Sequence, residues 1–194
     1  MSHFFAFLSR MKLIQRWGLM RNVAKENIQE HSLQVSMIAH GLAVIRNTYF
    51  KGHVDCTKVA LLGMYHEVSE VFTGDLPTPV KYFNPEIRDV YKGIEDLAQK
   101  KLHNMLPQEL KASYQYLLIK EESDAELWNI VKAADKLSAY LKCLEELKAG
   151  NQEFSVAEKM IKQELNESSL PEVKYFMEVF VPSFLLSLDE LNEE

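Results

Sequence analysis

Apolar residues recur at helical spacing along nearly the whole chain, and no stretch of useful length alternates apolar with polar residues. His31, Val35, Ile38, Leu42 and Ile45 form one stripe at steps of four, three, four and three. Leu127, Ile130, Ala134, Leu137, Leu141 and Leu144 trace a second, longer one. Local start and stop signals divide these stripes into helices. Asp55 is placed to cap a helix that runs through Val59, Leu62 and His66 to about Phe72. Asn84-Pro85-Glu86 sets a cap residue before a proline at the first helical position, opening a helix to about Met105. Ser123-Asp124-Ala125-Glu126 fits a capping box, and Gly150 closes the helix that follows. Residues 3–14, 108–118, 155–166 and 171–180 complete the pattern, with a final turn or two from Phe184 to Leu191. The chain is predicted to be all-α, and its 194 residues suffice for one domain with a sizeable core.

Charge and cysteine content narrow the setting. A formal net charge of −6 argues against gripping a nucleic acid polymer by its phosphates. It leaves room for one small anion held by one or two arginines. Cys56 and Cys143 lie within apolar helical patterns and suggest no disulfide framework, so a reducing cytoplasm is expected. No run approaches the roughly 20 apolar residues of a membrane span. Ser2-His3-Phe4-Phe5-Ala6-Phe7-Leu8 is apolar but lacks the order and cleavage site of a signal peptide.

The densest chemistry lies in Tyr65-His66-Glu67-Val68-Ser69-Glu70-Val71-Phe72-Thr73-Gly74-Asp75-Leu76-Pro77-Thr78-Pro79. On a continuous helix His66 and Glu70 share a face one turn apart, with Glu67 on the adjoining face. Gly74 is a natural terminator, and the two prolines stiffen the loop beyond it. An ordinary helix with a solvated acidic face is the alternative. His31 lies at the inward end of its stripe, where a histidine is either a ligand or a satisfied core group. Asp135 stands among Val131, Ala134, Leu137 and Ala139, and either turns inward with a partner or outward beside Lys132 and Lys136. Arg16 and Trp17, at a break before Gly18, put a charged fork next to a flat aromatic. Two imidazoles and two carboxylates on three helices suit a borderline divalent metal such as manganese, cobalt, iron or zinc.

The arrangement of His31, His66-Glu67 and Asp135 resembles the H…HD…D signature of the HD-domain metal phosphohydrolases, with Glu67 where the doublet's aspartate stands. The chain is similar in particular to the bacterial 5′-deoxynucleotidase family. The likeness is carried by Gln15-Arg16-Trp17, Glu30 to Val35, Tyr65 to Lys81, Ala139 to Leu147 and Phe180-Val181-Pro182-Ser183-Phe184. It implies a single HD-domain helical bundle over residues 1–194. It implies hydrolysis of deoxyribonucleoside 5′-monophosphates, a divalent metal (cobalt first, manganese or zinc as others) and a homodimer. Carried over residue by residue, His31, His66, Glu67 and Asp135 become the metal ligands, with Glu67 and Asp135 also facing substrate. Arg16 orients the phosphate and Trp17 contacts the nucleoside. Asp75, Leu76, Pro77 and Thr78 line the substrate, and Glu70 acts near the attacking water. The readings kept beside this one are a phosphohydrolase of a triphosphate, cyclic nucleotide or alarmone, and a catalytically weak nucleotide-binding helical dimer.

Overall fold

A computed structural model describes residues 1–77, 80 and 84–192. The described chain is helical: α1 Phe4–Leu8, α2 Ile28–Tyr49, α3 Cys56–Tyr65, α4 Glu70–Thr73, α5 Pro85–Asn104, α6 Gln108–Leu118, α7 Ala125–Lys148, α8 Ser155–Asn166, α9 Pro171–Val179 and α10 Leu188–Leu191. Short 3-10 turns at Met11–Leu13, Glu122–Asp124, Gln152–Phe154 and Val181–Leu185 join some of them. Among the described residues the sole strand-like feature is one antiparallel bridge, Gln15 with Asn27. The all-α expectation holds.

Contacts gather the chain into two compact units. One comprises Met1–Arg21, Lys25–Leu33 and Met64–Ala125; the other comprises Asn22–Ala24, Gln34–Gly63 and Glu126–Glu194. In the first, Phe4 is fully buried and meets the Tyr114 ring edge-on at 5.2 Å. Ser2 Oγ ties the chain start to the Met105 carbonyl at 2.6 Å. Phe7 packs on Phe72, whose ring also lies under the Lys101 ammonium. In the second, Val35, Leu42, Val59, Leu62, Ile130, Leu137, Leu141 and Phe154 are fully buried. There α2 and α3 approach closely at Gly63, where a Cβ would lie 3.0 Å from the Ser36 Cα. Ser36 Oγ donates across this contact to the Ala60 carbonyl.

Several helix boundaries follow their local signals. The Asp55 side chain accepts from Lys58 N at 2.9 Å, and the Asn84 side chain accepts from Ile87 N at 2.7 Å. Gly74 and Gly150 take φ of 69° and 88° at the ends of α4 and just past α7, the left-handed conformation glycine adopts without strain.

Two expectations need correction. The helix predicted over residues 3–14 ends at Leu8, because Arg10 N and Leu13 N bond three residues back, to Phe7 O and Arg10 O, and wind the chain more tightly. Likewise the helix expected to reach Phe72 stops at Tyr65. Val68, Ser69 and Glu70 are all buried, and three consecutive residues on a helix turning about 100° per residue cannot share one inward face. The backbone there also bonds three residues back, Glu70 N to Glu67 O at 3.0 Å and Phe72 N to Ser69 O at 3.0 Å.

Candidate metal centre and anion site

The first turn of α2 is fixed by a reciprocal cap. The Asn27 side-chain oxygen accepts from Gln29 N and Glu30 N, while the Glu30 carboxylate accepts from Asn27 N at 3.2 Å. That cap holds His31 one turn into the helix, where it is fully buried, as its stripe implied. His66 and Glu67 follow α3 directly, in the turn that replaces the expected helix. The two histidine rings lie 5.4 Å apart between centroids. The Glu67 carboxylate stands between them, Oε2 3.7 Å from His31 Nε2 and Oε1 3.7 Å from His66 Nε2. Ligand atoms of the three residues all lie within 4.8 Å of one another.

These donors fit a divalent ion. Two donors sharing a tetrahedral ion at about 2.1 Å each stand about 3.4 Å apart, close to the 3.7 Å found between Glu67 and each imidazole. On the far side of its ring, His31 Nδ1 lies 3.9 Å from Glu26 Oε1. A carboxylate behind a ligating imidazole is the usual arrangement for orienting the nitrogen that faces the metal. Glu26 also accepts from Arg16 Nη1 at 2.7 Å, and its carbonyl accepts from Arg16 N at 2.9 Å. One carboxylate therefore bonds the candidate anion-binding arginine and stands 3.9 Å from the candidate ligand histidine. The sequence reading missed Glu26. Its partners are ten residues before and five after it, outside any helical or strand period; the only available signal was its place just ahead of the α2 cap.

Arg16 lies 5.8 Å from the centre of the Trp17 ring. Trp17 has φ of 58°, a left-handed backbone that costs energy in a residue with a large side chain. Its backbone N–H donates to Asp75. Burial pushes the Asp75 carboxyl above its ordinary range and the charge of Glu67 adds to the rise, while the Arg16 guanidinium and the Trp17 N–H pull the other way. The structure thus groups Arg16, Trp17, His31, Glu67 and Asp75, with His66 beside Glu67. Glu70 is buried at the start of α4. Leu76 and Pro77 are half-buried after Asp75, and Thr78 lies outside the described residues. Asp135 is half-buried within α7 of the second unit.

A family model described as 5′-deoxynucleotidase YfbR-like matches residues 3–184. A 5′-deoxynucleotidase of Vibrio vulnificus is 56% identical over 191 residues, covering 98% of each chain. One from an Enterobacter species is 56% identical over 193 residues, covering all of this chain and 97% of its own. Among solved structures, an HD-domain phosphohydrolase of Listeria innocua superposes with a TM-score of 0.82 at 23% identity, over 99% of this chain and 92% of its own. A cyanophage S-2L HD phosphohydrolase, bound to dA and one catalytic zinc ion, gives a TM-score of 0.62 at 19% identity over 92% and 96% of the two chains.

Proposed function

The chain belongs to the YfbR-like 5′-deoxynucleotidase family, and from that premise we propose that it hydrolyses deoxyribonucleoside 5′-monophosphates to deoxynucleoside and inorganic phosphate. The observation that carries this is the convergence of His31, His66 and Glu67, 3.7 Å from carboxylate to each imidazole, beside an arginine oriented by Glu26. We assign the metal to His31, His66 and Glu67, with Asp135 of α7 as the fourth donor. Imidazole with carboxylate suits borderline divalent ions in general; cobalt is proposed first, ahead of manganese or zinc, on the family resemblance. When bound, such an ion polarises the phosphoryl group and activates the attacking water.

The remaining work falls to this chain's own side chains. Arg16 takes the phosphate, its planar fork matching two phosphoryl oxygens, and stabilises their growing charge. Glu70 accepts a proton from the attacking water as its oxygen bonds to phosphorus. The bond from phosphorus to the 5′ oxygen breaks, and the proton taken by Glu70 passes to that oxygen, which leaves as the hydroxyl. The Trp17 indole lies against C2′ of the sugar and leaves no room for a 2′-hydroxyl. Asp75, Leu76, Pro77 and Thr78 line the nucleoside side.

We further assign the chain to one HD-domain, in keeping with a family match that runs from residue 3 to 184, and to a homodimer. The dimer draws support from apolar side chains left in solvent late in the second unit, among them Phe180 at 43%, Leu185 at 52% and Leu188 at 75% exposure. A cytoplasmic setting is supported by two cysteines not joined in a disulfide, Cys56 and Cys143. Among the described residues no helix is long and apolar enough to cross a membrane.

The deciding assay measures phosphate and pyrophosphate release from deoxy- and ribonucleoside mono- and triphosphates, with cobalt, manganese or zinc and with a chelator. Phosphate from deoxynucleoside monophosphates that needs added metal is the expected result. Pyrophosphate from triphosphates, or no metal-dependent release, would overturn the proposal.

A further inference from the structure

Arg16 and Trp17 lie on an excursion of the chain from Ile14 to Ile28. Its neck is closed by backbone bonds, Arg16 N to Glu26 O and Ile28 N to Ile14 O at 3.0 Å, together with the Gln15–Asn27 bridge. A closed neck fixes where a loop starts and ends, while the path of its far side depends on what packs against it. That far side passes through Asn22–Ala24, which belongs to the second unit. There it meets two charged side chains of α7 that the proposed chemistry does not use. Lys142 and Glu146 are 3% and 1% exposed, and they form a salt bridge one helical turn apart. Glu146 accepts from Val23 N at 2.8 Å, Ala24 N at 3.1 Å and Asn151 Nδ2 at 2.8 Å. Lys142 donates to the Ala24 carbonyl. Both polar groups of the Ala24 backbone are thus taken by one buried ion pair.

Buried ion pairs add little to stability over an apolar pair of equal volume. What this one adds is geometry: a two-sided hold on a single peptide segment of the loop that carries a strained tryptophan. We propose that Lys142 and Glu146 are positioning residues, which hold the loop at Val23–Ala24 and so keep Trp17 in the conformation that rejects a 2′-hydroxyl. The discrimination half of this inference rests on the nucleotidase reading above; the positioning half does not.

The test uses full-length, cobalt-loaded protein in a Trp128→Phe background, which leaves Trp17 as the sole indole. Acrylamide quenching of Trp17 and the ratio of kcat/KM for deoxy- over ribonucleoside monophosphate are measured for the parent, Glu146→Gln and Trp17→Ala. Glu146→Gln is expected to raise the quenching constant of Trp17 and to lower the deoxy-to-ribo ratio by about tenfold, with cobalt content unchanged. A purely structural role would lower stability without moving either readout. Because Glu146→Gln leaves Lys142 buried beside a neutral partner, Glu146→Gln/Lys142→Met is read where the single variant does not fold. Unchanged quenching in a folded variant overturns the proposal, and so does failure of both variants to fold. If Trp17→Ala leaves the sugar ratio unchanged, the reading of Trp17 fails and quenching alone decides the positioning. If Trp17→Ala shifts the ratio and the folded Glu146 variant does not, the inference fails and the reading stands.

Discussion

Two buried polar clusters, one in each unit, differ in how their carboxylates are used. The Glu146 oxygens are filled by protein donors: the Lys142 ammonium, two backbone amides and the Asn151 side chain. Burial alone would raise its pKa; these donors outweigh burial and hold it at about 2. Glu67 faces two imidazole nitrogens at 3.7 Å each, too far for a hydrogen bond and near the spacing of donors that share an ion. Burial of charge therefore does not by itself mark a reactive site. A saturated carboxylate holds the chain in place, whereas donor atoms converging without closing on one another define a space for something else.

The largest effect should come from breaking the saturated cluster. Lys142→Met leaves the Glu146 carboxylate buried without its cation, a change that costs about 3–5 kcal/mol in comparable sites. Urea denaturation at neutral pH checks this; a loss under about 1 kcal/mol would show that water reaches the pair. The pH dependence has a definite sign. A carboxyl whose folded pKa lies below its unfolded value contributes stability above the unfolded value, and loses it as pH falls through the folded one. For Glu146 the window runs from the ordinary 4.5 down to about 2. Removing Lys142 takes away the strongest of the lowering contacts, so acid unfolding of the variant should begin at higher pH.

Next come changes at the open cluster, read in turnover rather than stability. Arg16→Ala should lower kcat by about 10²–10³, as for loss of one donor to transition-state charge. A rate within about twofold of the parent would return Arg16 to a structural role with Glu26. Glu26→Gln keeps the shape but removes the charge that pairs with Arg16 Nη1 and stands 3.9 Å from His31 Nδ1. Loss of a group that orients a ligand typically costs about 10–100-fold in metal affinity or activity. Cobalt titration by isothermal calorimetry separates the two partners. Weakened binding places the effect at His31; lowered kcat with intact binding places it at Arg16.

The same contrast explains what the sequence disclosed. Caps are local, so Asp55, Asn84 and Pro85 could be read at their own positions. His31 was legible because its stripe placed it inward, and burial follows from the period alone. Resemblance then carried the ligand assignment further than spacing could. The turn from His66 to Ser69 was not legible, since tertiary burial of three successive residues overrode helical continuation. Glu26 depends on a contact across a loop. Lys142 and Glu146 are the sharpest case: a Lys–Glu pair at i, i+4 has the pattern of a solvated helix face, and only the packing of residues 22–24 shows it is buried.

The smallest expected effect is at Glu67, and its size follows from the geometry. Aspartate at this position would withdraw the carboxylate by about 1.5 Å, one carbon–carbon bond. Metal–oxygen distances tolerate only about 0.2 Å, so glutamate and aspartate cannot hold an ion identically on one backbone. Glu67 nevertheless reaches both imidazoles at 3.7 Å, within a few tenths of the separation an ion would impose. The longer side chain therefore sits near that register, and its cost is the rotamer freedom of an extra methylene and the room it takes from water and phosphate. Glu67→Asp should tighten cobalt binding and raise phosphate release, each by roughly three- to tenfold, with His31 and His66 unchanged. Metal content after dialysis and initial rate at saturating cobalt are read on the same preparation. A gain in rate without a gain in occupancy would mean that Glu67 crowds the substrate rather than strains the metal. No gain in either would mean that position 67 does not donate to the ion, leaving His31, His66 and Asp135 to hold it.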